Sequence, residues 1–167
     1  TDIGTDVDDV WALAFLLRCP ELDIRLITTA TGDTRHRAAL VAKIRSIAGR
    51  DDVPSGSGLS LDPAPFGHVA WLGGYRLEEY PGPVYEDGVG AICDSVMDSD
   101  ESVTIIAIGP VPNIAAALVR EPQLTERSSF VGMHGSLRRG YLGARKAMRE
   151  YNVKQHALSC KSVFEAG

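Results

Sequence analysis

A chain of 167 residues with 44% hydrophobic content is long enough to bury one globular core, and disorder is not its default state. A net charge of −5, with no basic stripe to offset the acids, argues against a nucleic-acid surface. Cys19, Cys93 and Cys160 are odd in number, widely spaced and without a Cys-x-x-Cys pair, so neither a disulfide framework nor a zinc knuckle is indicated and a reducing, cytoplasmic setting fits. No apolar run approaches the ~20 residues that span a bilayer, and no charged-then-apolar leader opens the sequence.

The first predicted element is a helix beginning near Asp8. The apolar stretch Val10–Leu17 follows good helix-starting residues, and carboxylates are favoured at the positive end of a helix dipole. The run Thr1–Asp9 holds four carboxylates, Asp2, Asp6, Asp8 and Asp9, around Gly4. A cap needs one acid or two. The mutual repulsion of the rest calls for a compensating hard cation such as Mg²⁺ or Ca²⁺, with a solvated acidic turn as the alternative. Loops of this type hang from a buried strand, so the chain is expected to be clipped at its N-terminus.

A buried strand is predicted over Ile24–Ala30, ending in Thr31-Gly32-Asp33 and giving way to a helix from Arg35 to Ala48, stopped by Gly49. Residues 51–83 are rich in Gly, Pro and Ser, with Phe66, Trp71, Tyr75 and Tyr80 interspersed. They read as an irregular excursion, either a lid or binding loop or a surface meander. A helical pattern resumes over Glu86–Met97. A second strand, Val103–Ile108, ends in Gly109-Pro110-Val111-Pro112-Asn113 and leads into a helix over Ile114–Val119; a third strand spans Ser129–Met133. These strands are short, β-branched and largely unalternated, as strands covered on both faces are. Arg138-Arg139 and Arg145-Lys146 form a local basic patch on a solvated loop.

Strand, polar glycine-containing loop and helix therefore repeat. This predicts an α/β fold, an open and mostly parallel Rossmann-like sheet flanked by helices. Ligands of such sheets gather beyond the carboxyl ends of the strands. Four segments qualify and are expected to converge on one crevice: Asp2–Asp9, Gly32-Asp33, Gly109–Asn113 and Met133-His134-Gly135.

The residues at these places resemble the inosine–uridine-preferring nucleoside hydrolases. Asp2-Ile3-Gly4-Thr5-Asp6-Val7-Asp8-Asp9 followed by Ala12-Leu13 is similar to that family's N-terminal aspartate signature. Thr28-Thr29 with Gly32-Asp33 resembles its strand-end Gly-Asn. Gly49 with Val53-Pro54 and the segment Glu86–Gly90 resemble two of its turns. Ile106–Leu118 resembles its Gly-Pro-x-x-Asn block, Met133-His134-Gly135 its strand-end glycines, and Glu150-Tyr151-Asn152 its Glu-x-Asn. The likeness runs over essentially the whole of residues 1–167, which would form the N-terminal part of a single nucleoside hydrolase-like domain truncated at both ends.

The resemblance implies cleavage of the N-glycosidic bond of ribonucleosides by a Ca²⁺-activated water, giving ribose and free base in purine and pyrimidine salvage. It implies Asp2 and Asp9 as metal ligands together with the carbonyl of Pro112, where the family commonly has threonine; a carbonyl ligand does not depend on the side chain. Asp2 is also the implied general base. Asp8, Asp33, Met133, Glu150 and Asn152 are the implied substrate-binding residues, with Asp33 standing where the family often has asparagine. Asp6 has no fixed counterpart and is assigned to helix capping. The likeness further implies a homo-oligomer, dimer or tetramer, acting on small nucleosides, with no nucleic-acid or membrane partner.

The family's second asparagine falls near Gly143-Ala144 and is absent, as are a metal-ligating aspartate and a histidine that members carry in a C-terminal half. His134 follows a strand end and either faces the crevice or is satisfied in the core. Two other readings stay open: a non-catalytic remnant that still holds metal or ribose, and a metal-dependent phosphohydrolase of the haloacid-dehalogenase type, which also places Asp-x-Asp after a strand.

Overall fold

The computed structural model describes residues 1–61 and 67–167, so Phe66 lies outside the described residues. Its first helix, α1 (Asp8–Leu17), starts where the acids end, with Asp8 and Asp9 in its first turn and Leu13 and Leu17 buried. Strand β1 is Ile27–Thr29, shorter than the predicted Ile24–Ala30. Its partner β2 (Ser55–Ser57) is itself only three residues long, and their parallel register begins at Ile27 opposite Ser55.

Helix α2 (Thr34–Ala48) matches its prediction to within one residue. Asp33 accepts from the His36 N–H at 2.9 Å at its start, and Gly49 closes its end. Its buried face, from Ala38 to Ile44, packs with Ile3, Leu13, Leu17, Val53 and Tyr80 into one hydrophobic cluster. Strand β2 lies inside the stretch predicted as irregular. Ser-Gly-Ser carries no β-branched or apolar residue, so nothing in its pattern announces a strand; pairing on both sides makes it one. The excursion also contains α3 (Val69–Leu72) and ends at β3 (Val84–Tyr85), which pairs with β2.

Helix α4 (Gly88–Met97) is capped by Asp87, which accepts from the Gly90 N–H at 2.9 Å. Then come β4 (Val103–Ala107), α5 (Pro112–Arg120), α6 (Leu124–Arg127) and β5 (Ser128–Gly132). The C-terminal stretch adds α7 (Tyr151–Gln155) and α8 (Ala157–Glu165). Helices α4, α5 and α6 close a second cluster, and α5 and α8 cover β4 with a third. Among the described residues the cysteines are free and no helix is long and apolar enough to cross a membrane.

Among the described residues all strand pairings are parallel, in the orders β1-β2-β3 and β4-β5. The expectation that the later strands are covered on both faces does not hold. Ile106 and Val131 are 45% and 57% exposed, because the described helices α5 and α8 cover only one face of the β4-β5 pair. A cleft of about 400 Å³ separates β1 from β4. Thr1 lies on the cleft side of β1 in strand fashion: its nitrogen donates to the Thr28 carbonyl at 3.1 Å, and the Ala30 N–H donates to its carbonyl at 2.9 Å. The acidic loop thus leaves the sheet from a strand position.

Candidate active site at the strand ends

Three of the four predicted strand-end segments meet through direct contacts, and the fourth joins through α2. Asp2 lies against Gly109, where a Cβ would stand 2.4 Å from Asp2 Oδ1 and 2.6 Å from its backbone nitrogen. Only glycine permits that approach. His134 Nε2 lies 3.1 Å from the Gly109 carbonyl, and the Asn152 Nδ2 donates to the carbonyls of Met133 at 3.0 Å and Ile108 at 3.3 Å. The ends of β4 and β5 are thereby tied together beneath the acidic loop. The end of β1 enters through Arg37 of α2, whose Nε donates to Thr31 O at 2.8 Å while Nη1 donates to the carbonyls of Asp2 and Ile3.

Asp2 and Asp9 are buried, whereas Asp6 and Asp8 are exposed. Burial pushes the Asp2 carboxyl above the usual carboxylate range, and it carries Asp9 up to about 6. Thr1 Oγ1 donates to Asp9 Oδ1, and Thr5 Oγ1 lies 3.4 Å from Asp2 Oδ2. Asp6 is raised to about 6, first by its hydrogen bond with the Asp8 carboxyl and then by burial and its acidic neighbours. The assignment of Asp6 to helix capping is therefore corrected. The residue before α1 is Val7, which makes no side-chain cap, and the first-turn N–H of Asp9 is taken by Asp8 Oδ1 at 2.9 Å, not by Asp6.

Among the described residues, one group of acids could hold a metal ion: Asp6, Asp8 and Asp9, whose candidate ligand oxygens all lie within 4.8 Å of one another. The start of α1 brings these three together, while Asp2 lies against Gly109 outside the group, yet close enough for its charge to act on Asp6 and Asp9. An all-oxygen, all-carboxylate set suits a hard divalent cation, and after the Asp8 hydrogen bond at Asp6 and burial at Asp9, repulsion from neighbouring acids helps to raise both carboxyls.

The remaining predicted residues take more structural positions than the sequence reading gave them. Pro112 is the first residue of α5, where a missing N–H costs nothing, and its carbonyl belongs to that helix's first turn. Asp33 is exposed and uses one carboxylate oxygen to cap α2. Glu150 caps α7 with both oxygens, accepting from the N–H groups of Asn152 at 3.0 Å and Val153 at 2.9 Å. Met133 is exposed, and its backbone N–H donates to Ala107 O at 3.0 Å. His134 is half-buried with Nδ1 lacking a hydrogen-bond partner among the described residues, and burial holds its imidazole below the usual histidine value.

Two residues take roles here that the sequence did not assign them. Asn113 is buried and accepts from the Leu59 N–H at 2.8 Å while donating to Thr29 O at 2.9 Å, joining α5 to the ends of β1 and β2. Arg37 is the other. Its signal was present in the sequence: a cation in the first turn of a helix opposes the dipole, and so asks for local acceptors.

All 167 residues match the family described as inosine-uridine preferring nucleoside hydrolase. A non-specific ribonucleoside hydrolase, RihC, of Klebsiella pneumoniae is 30% identical over 99% of this chain, and the chain spans 57% of that relative. Among solved structures, an inosine-uridine preferring nucleoside hydrolase from Bacillus anthracis superposes with a TM-score of 0.80 at 18% identity, over 98% of this chain and 60% of that one. A purine-preferring ribonucleoside hydrolase from Gardnerella vaginalis gives 0.77 at 25% identity, over 99% and 56%.

Proposed function

The chain belongs to the inosine-uridine preferring nucleoside hydrolase family, and we propose that it serves hydrolysis of the N-glycosidic bond of ribonucleosides to ribose and free base. The observation that carries this reading is the packing of Asp2 against Gly109, with His134 on the Gly109 carbonyl and Asn152 on the carbonyls of Ile108 and Met133, which brings the acidic loop to the ends of β4 and β5. Asp2 is assigned the general base. Its burial raises its proton affinity, which favours taking a proton from attacking water near neutral pH. Asp2 and Asp9 with the Pro112 carbonyl are assigned to Ca²⁺, with Asp6 as a further oxygen ligand on the strength of its place in the acid group. When bound, the cation supplies acidity to water and a grip on vicinal hydroxyls.

Asp8 is assigned to a ribose hydroxyl. Asp33, Met133, Glu150 and Asn152 are assigned to the sugar and its 5′ side; Asp33 is exposed and its cap uses one carboxylate oxygen, and the Asn152 amide is held at the strand ends by the carbonyls of Ile108 and Met133. The carboxylates around the crevice stabilise positive charge that develops on the ribosyl centre as the base departs.

Residues 1–167 are further proposed as the N-terminal part of one larger domain. The chain spans about 57% of its Klebsiella relative, and α1 leaves Trp11 70% and Phe15 69% exposed. Cytoplasmic nucleoside salvage by a dimer or tetramer is the setting proposed for the complete protein. A second reading is favoured by one observation: Glu150 spends both carboxylate oxygens on a helix cap. On that reading the chain holds metal or ribose without turnover.

Release of reducing sugar from inosine, uridine and p-nitrophenyl riboside in the presence of CaCl₂ tests the proposal. Turnover that falls about 10²–10⁴-fold in Asp2→Asn supports it. Ribose-dependent thermal stabilisation with no sugar release supports the second reading, and phosphate release from phosphomonoesters without ribose overturns both.

A further inference from the structure

Arg37 is 4% exposed, yet among the described residues none of the oxygens that take its hydrogen bonds is a carboxylate. Its Nε donates to Thr31 O at 2.8 Å, and its Nη1 donates to Ile3 O at 2.7 Å, to Thr5 Oγ1 at 3.2 Å and to Asp2 O. A guanidinium is costly to bury unless its donors are filled, and this one sits in the first turn of α2, where the dipole disfavours a cation. Nothing about α2 alone explains it there. The loop it holds explains it: Asp2, Ile3 and Thr5 turn their oxygens inward onto one planar fork, and the fork ties them to Thr31 at the end of β1.

Gly4 supplies an independent mark of the same packing. Its φ is 102°, and a Cβ there would stand 2.7 Å from Leu40 Cδ1 and 3.8 Å from Arg37 Nη1, so the acidic loop is drawn down onto α2 at this point. We infer that Arg37 is a positioning residue, a resident cation around which the Asp2–Thr5 turn folds, so that the Asp2 and Asp9 carboxylates stand in place before any metal arrives.

This rests on the metal-binding reading of the acidic loop, and it makes a prediction whose sign separates geometry from charge. A fixed cation near the loop repels a divalent ion, so if Arg37 acted only through its charge, removing it would tighten metal binding. If it acts by holding the loop, removing it weakens binding by about 10- to 100-fold, as loss of outer partners of metal ligands does. Lysine keeps the charge but, as a compact ammonium, does not reproduce the fork that reaches Thr31 and the loop together.

The test is calorimetric titration of the full chain with CaCl₂ alone, comparing the unsubstituted protein with Arg37→Lys and Arg37→Met, after circular dichroism has checked that each variant folds. Affinity reduced by about 10- to 100-fold in both supports the inference. Affinity unchanged or higher in Arg37→Met, or full rescue by Arg37→Lys, overturns it. A purely structural role would lower the melting temperature and leave the affinity of the folded protein alone.

Should both variants fail to fold, the unsubstituted chain decides. In the absence of metal, the Arg37 Nε–H resonance is expected to be resolved and protected from exchange with solvent. A guanidinium that exchanges freely until calcium is added overturns the inference. If the unsubstituted chain takes up no calcium, the metal reading under Proposed function falls, and the resonance, read without metal, still decides whether Arg37 holds the loop.

Discussion

The Asp9 carboxylate is buried at the start of α1, with the Thr1 hydroxyl as its hydrogen-bond donor. Asp9→Ala removes one of the three grouped acids, so calcium affinity is expected to fall by at least tenfold in calorimetric titration; unchanged affinity would sink the ligand assignment. Gly109→Ala makes a complementary demand. Its Cβ would collide with the Asp2 backbone and carboxylate, and overpacking of that kind costs about 1–3 kcal/mol. A melting temperature lowered together with sugar release is the expected result. At this scale the acidic signature was plain in the sequence, because charge density is a local property. The grouping was not. Proximity in sequence to Asp9 is shared by Asp2, Asp6 and Asp8 alike, and only the turn at Gly4 and the start of α1 decided that Asp6 and Asp8 lie with Asp9 while Asp2 faces Gly109.

Elements carried by strong local signals formed where the pattern put them. Helix α2 has a capping aspartate, a long apolar face and a closing glycine, and all three features agree. Asp33→Ala is expected to cost about 1 kcal/mol of stability through loss of that cap, read from chemical denaturation. Asn113→Ala leaves the Leu59 N–H without its partner, while the Thr29 carbonyl keeps the Gly58 N–H at 3.0 Å, and a cost of about 1–2 kcal/mol follows from one unpaired donor and one lost bond. A loss under about 0.5 kcal/mol would show that the link between α5 and the ends of β1 and β2 is dispensable. Strand β2 had no such signal. Ser55-Gly56-Ser57 becomes a strand because β1 and β3 supply partners on both edges, which is a long-range fact.

Across the whole molecule, the acids and the ion pairs respond to pH in different windows. The folded-state pKa of Asp9, raised by burial to about 6 from 3.8, means that its favourable contribution is fully present below 3.8 and is lost as pH rises through about 6. Asp6, raised to about 6 by its hydrogen bond to Asp8, has the same sign. Glu78, held at about 2 by Arg35, contributes above the ordinary glutamate value and loses it only in stronger acid. The metal-free chain is therefore expected to melt at lower temperature above pH 6 than near pH 4.5. Calcium at about 100 times its dissociation constant should restore about 2.7 kcal/mol at neutral pH. A flat metal-free profile over that window, read by calorimetry, would contradict the burial of Asp9.

The sequence by itself determined the α/β class, the two strand–loop–helix units of β1 with α2 and β4 with α5, and the four strand-end segments, because hydrophobic runs, caps and glycine stops act over a few residues. It also marked the acidic loop by its charge density. Only the tertiary structure decided which acids stand together, that Glu150 and Asp33 are occupied as caps, and that Arg37 and Asn113 reach from helices to gather separate strand ends. Those outcomes depend on contacts between residues far apart in the chain, such as Asn113 with Thr29, and burial is set by what packs on a group rather than by its sequence neighbours.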